Sequence, residues 1–366
     1  MLLFLLRQPE AKALLTFVSS IVILILSANS ILIPTCIWTW ISSSLIYIIL
    51  YFIFVIVLMR WFARGGQYLN IYTTKLDGQT FLITGAAGGI GRATAIELVK
   101  RGARVILFAR FQNLTNAIND VRKFSQLPNN VIGYPIDLAD LQSIKTCVEE
   151  FMKNENENTK ITALINNAGV MACPYTKTKD GFELQMGTNH FGHFYFTQLL
   201  LPRLHSSRII NVSSAGHFMW PVPCDALHYE QMCNPNTYNP WSAYSLSKTA
   251  NILFTRELQR RYSISHNICA YSLHPGTVNT PLDRHLHLHD LMRKLSKPIR
   301  YIIFKSPLEG AQTILYCALS NKARPGEYHA DCQPTPVCHK YAKDDKLARV
   351  WWDYSENIIN EKLKEI

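Results

Sequence analysis

Residues Thr80 to Gly91 read TFLITGAAGGIG. The last two of them, Ile90 and Gly91, begin a helical segment that extends to Lys100. This pattern predicts a short strand, a glycine-rich turn and a helix. Gly85 allows the tight turn, and Gly89 and Gly91 let the backbone and the helix approach a pyrophosphate closely. The N-terminus of such a helix offers unpaired N–H groups to phosphates. The stretch therefore predicts dinucleotide binding, with an ordinary turn as the alternative.

The sequence around this turn alternates between strand-like and helical segments from about residue 66 to the end. Strands rich in Val, Ile and Leu that alternate with helices predict a buried parallel sheet covered on both faces. One doubly wound, Rossmann-like α/β domain over residues 66–366 is the simplest interpretation. The further strand candidates are Arg104 to Ala109, Val131 to Ile136, Ile161 to Ile165, Arg208 to Val212 and Asn267 to Leu273.

The end of the second strand indicates the type of dinucleotide. An acidic residue there favours NAD, whereas arginine suits the 2′-phosphate of NADP. Here the strand reads VILFA and Arg110 follows it, with no acidic residue, so NADP(H) is expected. The alternative is that Arg110 is an ordinary solvated arginine. Asp137 follows the third strand and either accepts from the adenine amino group or caps the next helix.

Tyr244 and Lys248 lie in YSLSK, within a helical stretch from about Ser242 to Arg260. A spacing of four residues places both side chains on one face of a helix. A phenol with a pKa of about 10 is a poor acid–base catalyst at neutral pH. A neighbouring ammonium favours the phenolate, so we expect Lys248 to lower the Tyr244 pKa.

The N-terminal region has no Asp, Glu, Lys, Arg or His from Ala13 to Met59. A membrane-spanning helix needs about 20 apolar residues, so this run is long enough for two. Pro34 and Thr35 divide it into spans at residues 13–33 and 36–59, which predicts a membrane hairpin within residues 1–65. Basic residues flank both ends, which places the catalytic domain in the cytosol. A single long span and a cleaved signal peptide are the alternatives.

Composition excludes several other classes of protein. The net charge is +11, but no cluster of basic and aromatic residues suggests a nucleic-acid interface. A charged fraction of 17% with 48% hydrophobic residues is unlike a disordered chain. His190 and His193 have no Cys or carboxylate nearby at a ligand spacing, so no metal is expected.

Six motifs together resemble the short-chain dehydrogenases/reductases, over about residues 76–330. They occur in the family's order along the chain: TGAAGGIG, NNAG from Asn166, TNHFGHF with Asn189, NVSS with Ser214, YSLSK, and HPGT from His274. The longer strings NNAGVMACPYTKTKDGFE, KTANILFTRELQRR and HPGTVNTPL are similar to the subgroup that includes retinol dehydrogenases 11 to 14. That subgroup is anchored in membranes.

The resemblance implies a role for each matching residue. Tyr244 would protonate the carbonyl oxygen in reduction or deprotonate the alcohol in oxidation, and Lys248 would also bind the nicotinamide ribose. Ser214 would orient the carbonyl, and Asn189 would hold a water of a proton relay. The positions implied in cofactor binding are Thr84, Gly85, Gly89, Ile90, Gly91, Arg110, Asp137, Asn166, Ala168, Gly169, Tyr244, Lys248, Pro275, Gly276, Thr277 and Thr280.

The spacing from Ser214 to Tyr244 and the paired N-terminal spans are both longer than the family typically has, and two segments bear on the substrate. An insert from His217 to Pro240 carries several aromatic residues, which line a lipid pocket or pack as an ordinary loop. After the last motif, Leu288, Leu291, Met292 and Leu295 fall at helical spacing, and the apolar stripe continues to Ile303. Core packing is the usual origin of such a stripe. The alternative is a mobile lid on the membrane surface that admits a lipid substrate.

The expected protein is therefore a membrane-anchored, NADP-dependent oxidoreductase that interconverts a lipophilic carbonyl and an alcohol, by resemblance retinal and retinol. Steroids, long-chain aldehydes and polyprenals are alternative substrates. An inactive, membrane-tethered nucleotide-binding scaffold is the alternative from another class. The expected location is the endoplasmic reticulum membrane. The sequence leaves open the substrate, the physiological direction, the membrane and the oligomeric state, a homo-oligomer included.

Overall fold

A computed structural model describes residues 19–20, 37–280, 282, 297–336 and 338–365 of the chain. The described residues fall into two compact units. The smaller unit draws on Met1–Gly65, Thr277–Asn279 and Leu288–Glu309, and the larger on Gly66–Gly276, Thr280–His287 and Gly310–Ile366. Of the described residues, 277–279 and 297–309 therefore group with the N-terminal segment. The division of the chain at residues 65 and 66 stays a prediction.

The larger unit contains one eight-stranded sheet with the order β3-β2-β1-β4-β5-β6-β7-β8. Strands β1 to β7 run parallel, and β8 pairs antiparallel with β7 at the edge. The strands are β1 Thr80–Thr84, β2 Arg104–Ala109, β3 Val131–Pro135, β4 Ile161–Asn166, β5 Arg208–Val212, β6 Cys269–Leu273, β7 Tyr328–Ala330 and β8 Gln333–Pro334.

Helices cover both faces of this sheet, as the predicted doubly wound fold requires. We number the described helices α1 Ile37–Arg64, α2 Gly89–Val99, α3 Phe111–Arg122, α4 Leu141–Asn154, α5 Leu184–Met186, α6 Gly192–Leu200, α7 Gly216–Met219, α8 Ala226–Met232, α9 Pro240–Tyr262, α10 Lys297–Ile303, α11 Pro307–Leu319 and α12 Asp345–Lys364.

Alternate residues of each strand enter two separate apolar cores. Leu82 of β1 joins the core that contains α4, α6, α9 and α12, whereas Phe81 and Ile83 join the core that contains α2, α3 and α11. Because side chains of a strand point to opposite faces in turn, a strand buried on both faces is apolar throughout. All five residues of β1 are buried, which agrees with the three consecutive apolar residues Phe81, Leu82 and Ile83 at its centre.

The smaller unit contains α1, the only helix in the described part that is long and apolar enough to cross a membrane, over Tyr47–Arg64. Within Tyr47–Arg64, most of the large apolar side chains are exposed, including Phe54 (61%) and Val57 (60%). Of the first predicted span, only residues 19–20 are described, and the Ser20 carbonyl accepts a hydrogen bond from Tyr51 of α1 (2.8 Å). The hairpin itself stays a prediction.

Candidate active site

The predicted site residues of the larger unit follow the carboxyl ends of neighbouring parallel strands. The glycine turn follows β1, Arg110 follows β2, Asp137 follows β3, the NNAG motif follows β4, Ser214 follows β5 and the HPGT motif follows β6. Ligands of open α/β sheets bind at this edge. The topology therefore places motifs that are spread over about 200 residues of sequence at one edge of the sheet.

Gly85, Gly89 and Gly91 leave a space above the backbone of the turn that side chains at these positions would fill, and we call this space the glycine cradle. Gly85 (φ +68°) and Gly89 (φ +53°) have left-handed backbone conformations that L-residues rarely adopt. A Cβ on Gly91 would lie 2.5 Å from Nδ2 of Asn167 and 2.6 Å from the Gly85 carbonyl oxygen. A Cβ on Gly89 would lie 3.1 Å from Cγ2 of Thr280. These residues leave bare backbone at the start of α2, which fits the pyrophosphate of a dinucleotide.

Thr84, the last residue of β1, fixes the NNAG segment beside this turn. Its hydroxyl oxygen accepts hydrogen bonds from the backbone N–H groups of Asn167 (2.9 Å) and Ala168 (3.1 Å). The same hydroxyl pairs with Nε2 of His193 at 2.8 Å. Neither Asn167 nor His193 was predicted as a site residue. Ile90, half-buried, is in the first turn of α2.

Arg110 and Asp137 are both exposed at the carboxyl edge of the sheet. Arg110 occupies the N-cap position of α3 but makes no side-chain capping bond. Asp137 accepts a hydrogen bond from the N–H of Ala139 (3.0 Å), a local turn. The suggestion that Asp137 caps the following helix is wrong, because Asp140 is the cap of α4 and accepts from the N–H of Ser143.

Ser214, Tyr244 and Lys248 come together in the larger unit. Gly216 connects two of them: a Cβ there would lie 2.9 Å from Cε1 of Tyr244 and 3.4 Å from Oγ of Ser214. The Lys248 ammonium lies 5.7 Å from the centre of the Tyr244 ring and donates to the Val212 carbonyl (3.0 Å). Ser213 contacts the same helix, because its hydroxyl donates a hydrogen bond to the Lys248 carbonyl (2.7 Å).

The electrostatics of this group differ from the expectation that Lys248 makes Tyr244 acidic. Burial raises the pKa of Tyr244 to about 12, and the hydrogen bond with Ser214 offsets only part of that effect. Burial also lowers the pKa of Lys248 to about 8. Without ligand, the loss of solvation of the phenolate outweighs the stabilisation expected from the ammonium. Tyr244 is consequently a protonated phenol at neutral pH.

Asn189 lies in a π-helical turn, Gly187–Phe191, between α5 and α6. Such turns frequently occur at functional sites. Its side chain accepts from the N–H of Val170 (2.8 Å) and donates to the Val170 carbonyl (2.9 Å) and to Oγ of Ser247 (3.0 Å). A Cβ on Gly169 would lie 3.1 Å from Oδ1 of Asn189 and 3.5 Å from the Lys248 ammonium. Asn189 therefore holds the NNAG segment against the catalytic helix, and its water relay stays a prediction.

Asn166 connects strands of the sheet. Its buried amide donates to Oγ1 of Thr197 (3.0 Å) and to Oδ1 of Asn211 on β5 (2.8 Å). These contacts tie β4 to β5 and to α6, and the predicted place of Asn166 beside a cofactor stays a prediction.

The HPGT motif is divided between the two units. Pro275 is buried and Gly276 has a left-handed backbone (φ +88°), with its N–H donating to Nδ1 of His274 (3.0 Å). Thr280, also of the larger unit, lies near Gly89. Thr277 is exposed and belongs to the smaller unit, in which its carbonyl accepts from the N–H of Lys305 (2.9 Å).

The insert after Ser214 has mixed roles. Phe218 is buried, Met219 is exposed, and Trp220 stacks on Trp241 with ring centres 4.7 Å apart. The Tyr238 hydroxyl donates to the Cys173 carbonyl (2.8 Å) and to the buried carboxylate of Glu183 (3.2 Å), so this residue packs as part of an ordinary loop. The sequence therefore predicted the insert, but not which of its aromatic residues pack in this way.

His217, at the start of the insert, is a neighbour of the site that the sequence did not reveal. Its Nδ1 pairs with the Ser214 carbonyl (2.6 Å), and its ring lies edge-on to Tyr328 of β7 (5.0 Å). The Nε2 atom accepts from the N–H of His339 (3.3 Å). Tyr328 and His339 are more than 100 residues away along the chain, so no local motif could indicate these two contacts.

The histidines considered as metal ligands have other partners. His190 pairs with Ser355 (3.0 Å) and accepts from the Trp351 indole (3.0 Å), and Nδ1 of His193 pairs with the Asn189 carbonyl (3.0 Å). Among the residues that the structure describes, no group of three or more His, Cys, Asp or Glu is arranged to hold a metal ion.

Comparisons with known proteins point to one family. A model for the short chain dehydrogenase family matches residues 79–224. Retinol dehydrogenase 14 of Mus musculus is 42% identical over 299 residues, which cover 78% of this chain and 86% of that protein. Retinol dehydrogenase 12 of Homo sapiens is 40% identical over 306 residues, covering 82% and 91%.

A solved structure agrees with these relatives. An uncharacterized protein from Mycobacterium Paratuberculosis is 32% identical, with a TM-score of 0.59, and the match covers 80% of this chain and 97% of that one. Given the doubly wound sheet, the glycine cradle and the Ser214–Tyr244–Lys248 group, the chain belongs to the short-chain dehydrogenase/reductase family of oxidoreductases, in which it is similar to retinol dehydrogenases 11 to 14.

Proposed function

We propose that this chain is a membrane-anchored, NADPH-dependent reductase of lipophilic carbonyl compounds, with retinal as the foremost substrate. The observation that carries the proposal is the group of half-buried Ser214 and buried Tyr244 and Lys248, at the same edge of the sheet as the glycine cradle. The retinoid assignment rests on the similarity to retinol dehydrogenases 12 and 14.

The residues of the site divide the chemistry of reduction among them. The bound nicotinamide supplies a hydride to the carbonyl carbon. Ser214 donates a hydrogen bond that orients the carbonyl oxygen, and Tyr244 transfers its phenolic proton to that oxygen. The C=O π bond breaks as the C–H and O–H bonds form, leaving an alcohol and a tyrosinate. Lys248, while charged, stabilises the tyrosinate until a proton returns from solvent.

The raised pKa of Tyr244 suits this residue to the role of an acid. With a pKa of about 12, the phenol carries its proton throughout the physiological range and is ready to act as an acid. Oxidation would need the phenolate as a base, a form that burial disfavours. The raised pKa therefore supports Tyr244 as the proton donor of the reduction, while the ratios of the cofactor and substrate forms set the net direction.

The location follows from α1 and from the relatives. We propose that the N-terminal hairpin anchors the chain in the endoplasmic reticulum membrane with the catalytic unit in the cytosol. The exposed apolar side chains of α1 support membrane insertion, because an apolar surface of that extent is poorly tolerated in water.

The proposal is tested on a substrate panel of retinal, steroid ketones, long-chain aldehydes and a polyprenal in detergent, with NADPH and with NADH. We expect retinal to be reduced with the highest kcat/KM. Selective reduction of another member would replace retinal by that substrate. A chain that binds NADPH but reduces none of them would be a nucleotide-binding scaffold.

The cofactor preference is tested separately at Arg110. The exposed guanidinium at the end of β2 supports recognition of a 2′-phosphate, since a charge-assisted hydrogen bond adds substantial binding energy. Arg110→Ala should raise the KM for NADPH about tenfold and leave the KM for NADH nearly unchanged. Equal effects on both cofactors would refute the assignment of Arg110.

A further inference from the structure

One face of α1 packs within the smaller unit against the segment that follows the HPGT motif. Val55 and Met59 are 3% and 7% exposed and form an apolar cluster with Ile302 and Ile303 of α10. Other faces of the same helix are open, as Phe54 at 61% shows. A helix that served only as a lipid anchor would not need a protein-covered face.

The basic end of α1 is joined to the start of α11 by an ion pair. One guanidinium nitrogen of Arg60 lies 2.6 Å and 2.5 Å from the two carboxylate oxygens of Glu309. Arg64, one turn later, lies 3.3 Å from the same carboxylate. The side chains of Arg60 and Glu309 are only 20% and 11% exposed, so water screens this pair less than a surface pair.

Arg60 makes further contacts with the same segment. Its guanidinium donates to the Phe304 carbonyl (3.4 Å) and lies 5.4 Å from the centre of the Tyr301 ring. The Glu309 carboxylate also accepts from the N–H of Ser306 (2.8 Å), which fixes it at the start of α11. Burial raises the Glu309 pKa, but the hydrogen bonds from Arg60 and Ser306 outweigh it and lower the pKa overall, so the carboxylate is charged at neutral pH.

The segment held in this way is bonded in turn to residues 277–279. The N–H of Lys305 donates to the Thr277 carbonyl (2.9 Å), and the N–H of Asn279 donates to the Lys305 carbonyl (2.9 Å). Arg300 of α10 donates to the Asn279 side chain (2.8 Å). In the sequence, Thr277 follows the last residue of β6, Leu273, by four positions, and it is one of the positions that the family resemblance implies in cofactor binding.

We propose that Arg60 and Glu309 are positioning residues for cofactor binding: the last turns of the membrane helix hold Lys305, and Lys305 holds the backbone of Thr277. The inference rests on the proposed function only in taking Thr277 as part of the cofactor site. Under this proposal, the anchor helix supports cofactor binding in addition to attaching the chain to the bilayer.

The test is a charge exchange in the full-length chain, reconstituted in phosphatidylcholine vesicles. The variants are Arg60→Glu, Glu309→Arg and the two combined, and Arg349→Glu is the matched control, since Arg349 is exposed on α12. Dissociation constants for NADPH and NADH are measured by fluorescence, together with KM and kcat for retinal and for a short soluble aldehyde.

We expect each single reversal to weaken binding of the preferred cofactor about tenfold, a coupling of ordinary size between linked sites. The combined exchange should restore binding to within about threefold, because the ion pair forms again with its charges reversed. The control should bind cofactor as the unchanged chain does. KM for the cofactor should rise more than kcat falls, with both aldehydes affected alike.

Single reversals that bind cofactor normally would overturn the proposal, and so would a combined exchange as weak as either single variant. Arg60→Lys keeps the charge but loses the several contacts of the guanidinium, so it should bind cofactor more tightly than Arg60→Glu, and equal weakness of the two variants would count against the ion pair. The binding measurements need no turnover. If the chain reduces no carbonyl, the proposed function fails. The binding measurements then still test whether the Arg60–Glu309 ion pair affects cofactor affinity.

Discussion

At the scale of single residues, Tyr244 shows that spacing and burial determine different properties. The separation of four residues from Lys248 placed both side chains in one site, as the sequence predicted. Burial, which the sequence pattern does not report, raises the Tyr244 pKa to about 12 and lowers that of Lys248 to about 8. The pair therefore holds a proton donor in place rather than a preformed phenolate.

This arrangement predicts a specific pH dependence of reduction. The Lys248 ammonium loses its proton as the pH rises through about 8, while Tyr244 keeps its proton until far higher pH. We expect kcat/KM for the aldehyde to be constant below pH 8 and to fall above it. In Lys248→Arg the charge persists, so the residual activity should show no fall between pH 7 and 10. The same fall in both proteins would contradict the assignment to Lys248.

Two site residues that the sequence missed, His193 and His217, each have a contact that is distant in sequence. His193 could be noted only as a histidine in TNHFGHF, but its contact with Thr84 spans 109 positions. His217 is part of an insert, and its neighbours Tyr328 and His339 follow the last recognised motif. Ser247 lies inside YSLSK and could have been suspected from that position alone. Motifs identify residues that contact ligands more readily than residues that support them.

At the scale of elements, the long strands and the catalytic helix were predicted to within two residues at each end, because continuous apolar runs bounded by turns are strong signals. The last two strands of the chain, β7 and β8, were missed. Tyr328–Ala330 and Gln333–Pro334 have three and two residues, too few to show a periodicity. The sequence predicted a parallel sheet, and the antiparallel edge strand adds to that topology without changing the site.

The glycine turn offers a prediction with an internal control. A Cβ on Gly91 would press on Asn167 and on the Gly85 carbonyl, whereas one on Gly88 meets nothing within 4 Å. Gly91→Ala should lower the free energy of unfolding by about 1–3 kcal/mol and strongly weaken NADPH binding. Gly88→Ala, with φ −170°, should change neither greatly. Thermal unfolding and fluorescence titration measure both quantities, and equal behaviour of the two variants would contradict the cradle.

At the scale of the whole molecule, the uncharged N-terminal run predicted a membrane anchor but not the residues that the anchor contacts. The sequence suggested core packing or a lid for the apolar stripe near residue 300. In the structure, Ile302 and Ile303 pack on Val55 and Met59 of α1. Residues 283–296, which carry the rest of the stripe, lie outside the described part. Contacts between two segments 250 residues apart leave no local periodicity, so the pattern could not distinguish these outcomes.

The buried histidines predict a loss of stability in mild acid. Burial lowers the pKa of His190 and His217 to about 3 and that of His193 to about 4. The unfolded chain therefore binds up to three more protons than the folded one below pH 6.5. Glu183, whose pKa burial raises to about 7, binds one proton in the folded state and opposes this trend.

The balance is about two protons, so the free energy of unfolding should fall by up to about 3 kcal/mol per pH unit from pH 6.5 to 5. Denaturant unfolding at several pH values measures this slope. In Glu183→Gln the opposing group is absent and the slope should be steeper. A stability that stays constant or rises between pH 6.5 and 5 would contradict the burial of neutral histidines.

The most direct test of the whole account is the rate of carbonyl reduction by Tyr244→Phe with saturating NADPH. The variant keeps the ring and removes the hydroxyl, and Tyr354→Phe on α12 serves as a control for loss of a tyrosine hydroxyl elsewhere. We predict that kcat falls at least about a hundredfold in Tyr244→Phe, with NADPH still bound, and is unchanged in the control. Alcohol formation by Tyr244→Phe at the rate of the unchanged chain would contradict the assignment of Tyr244 as the proton donor.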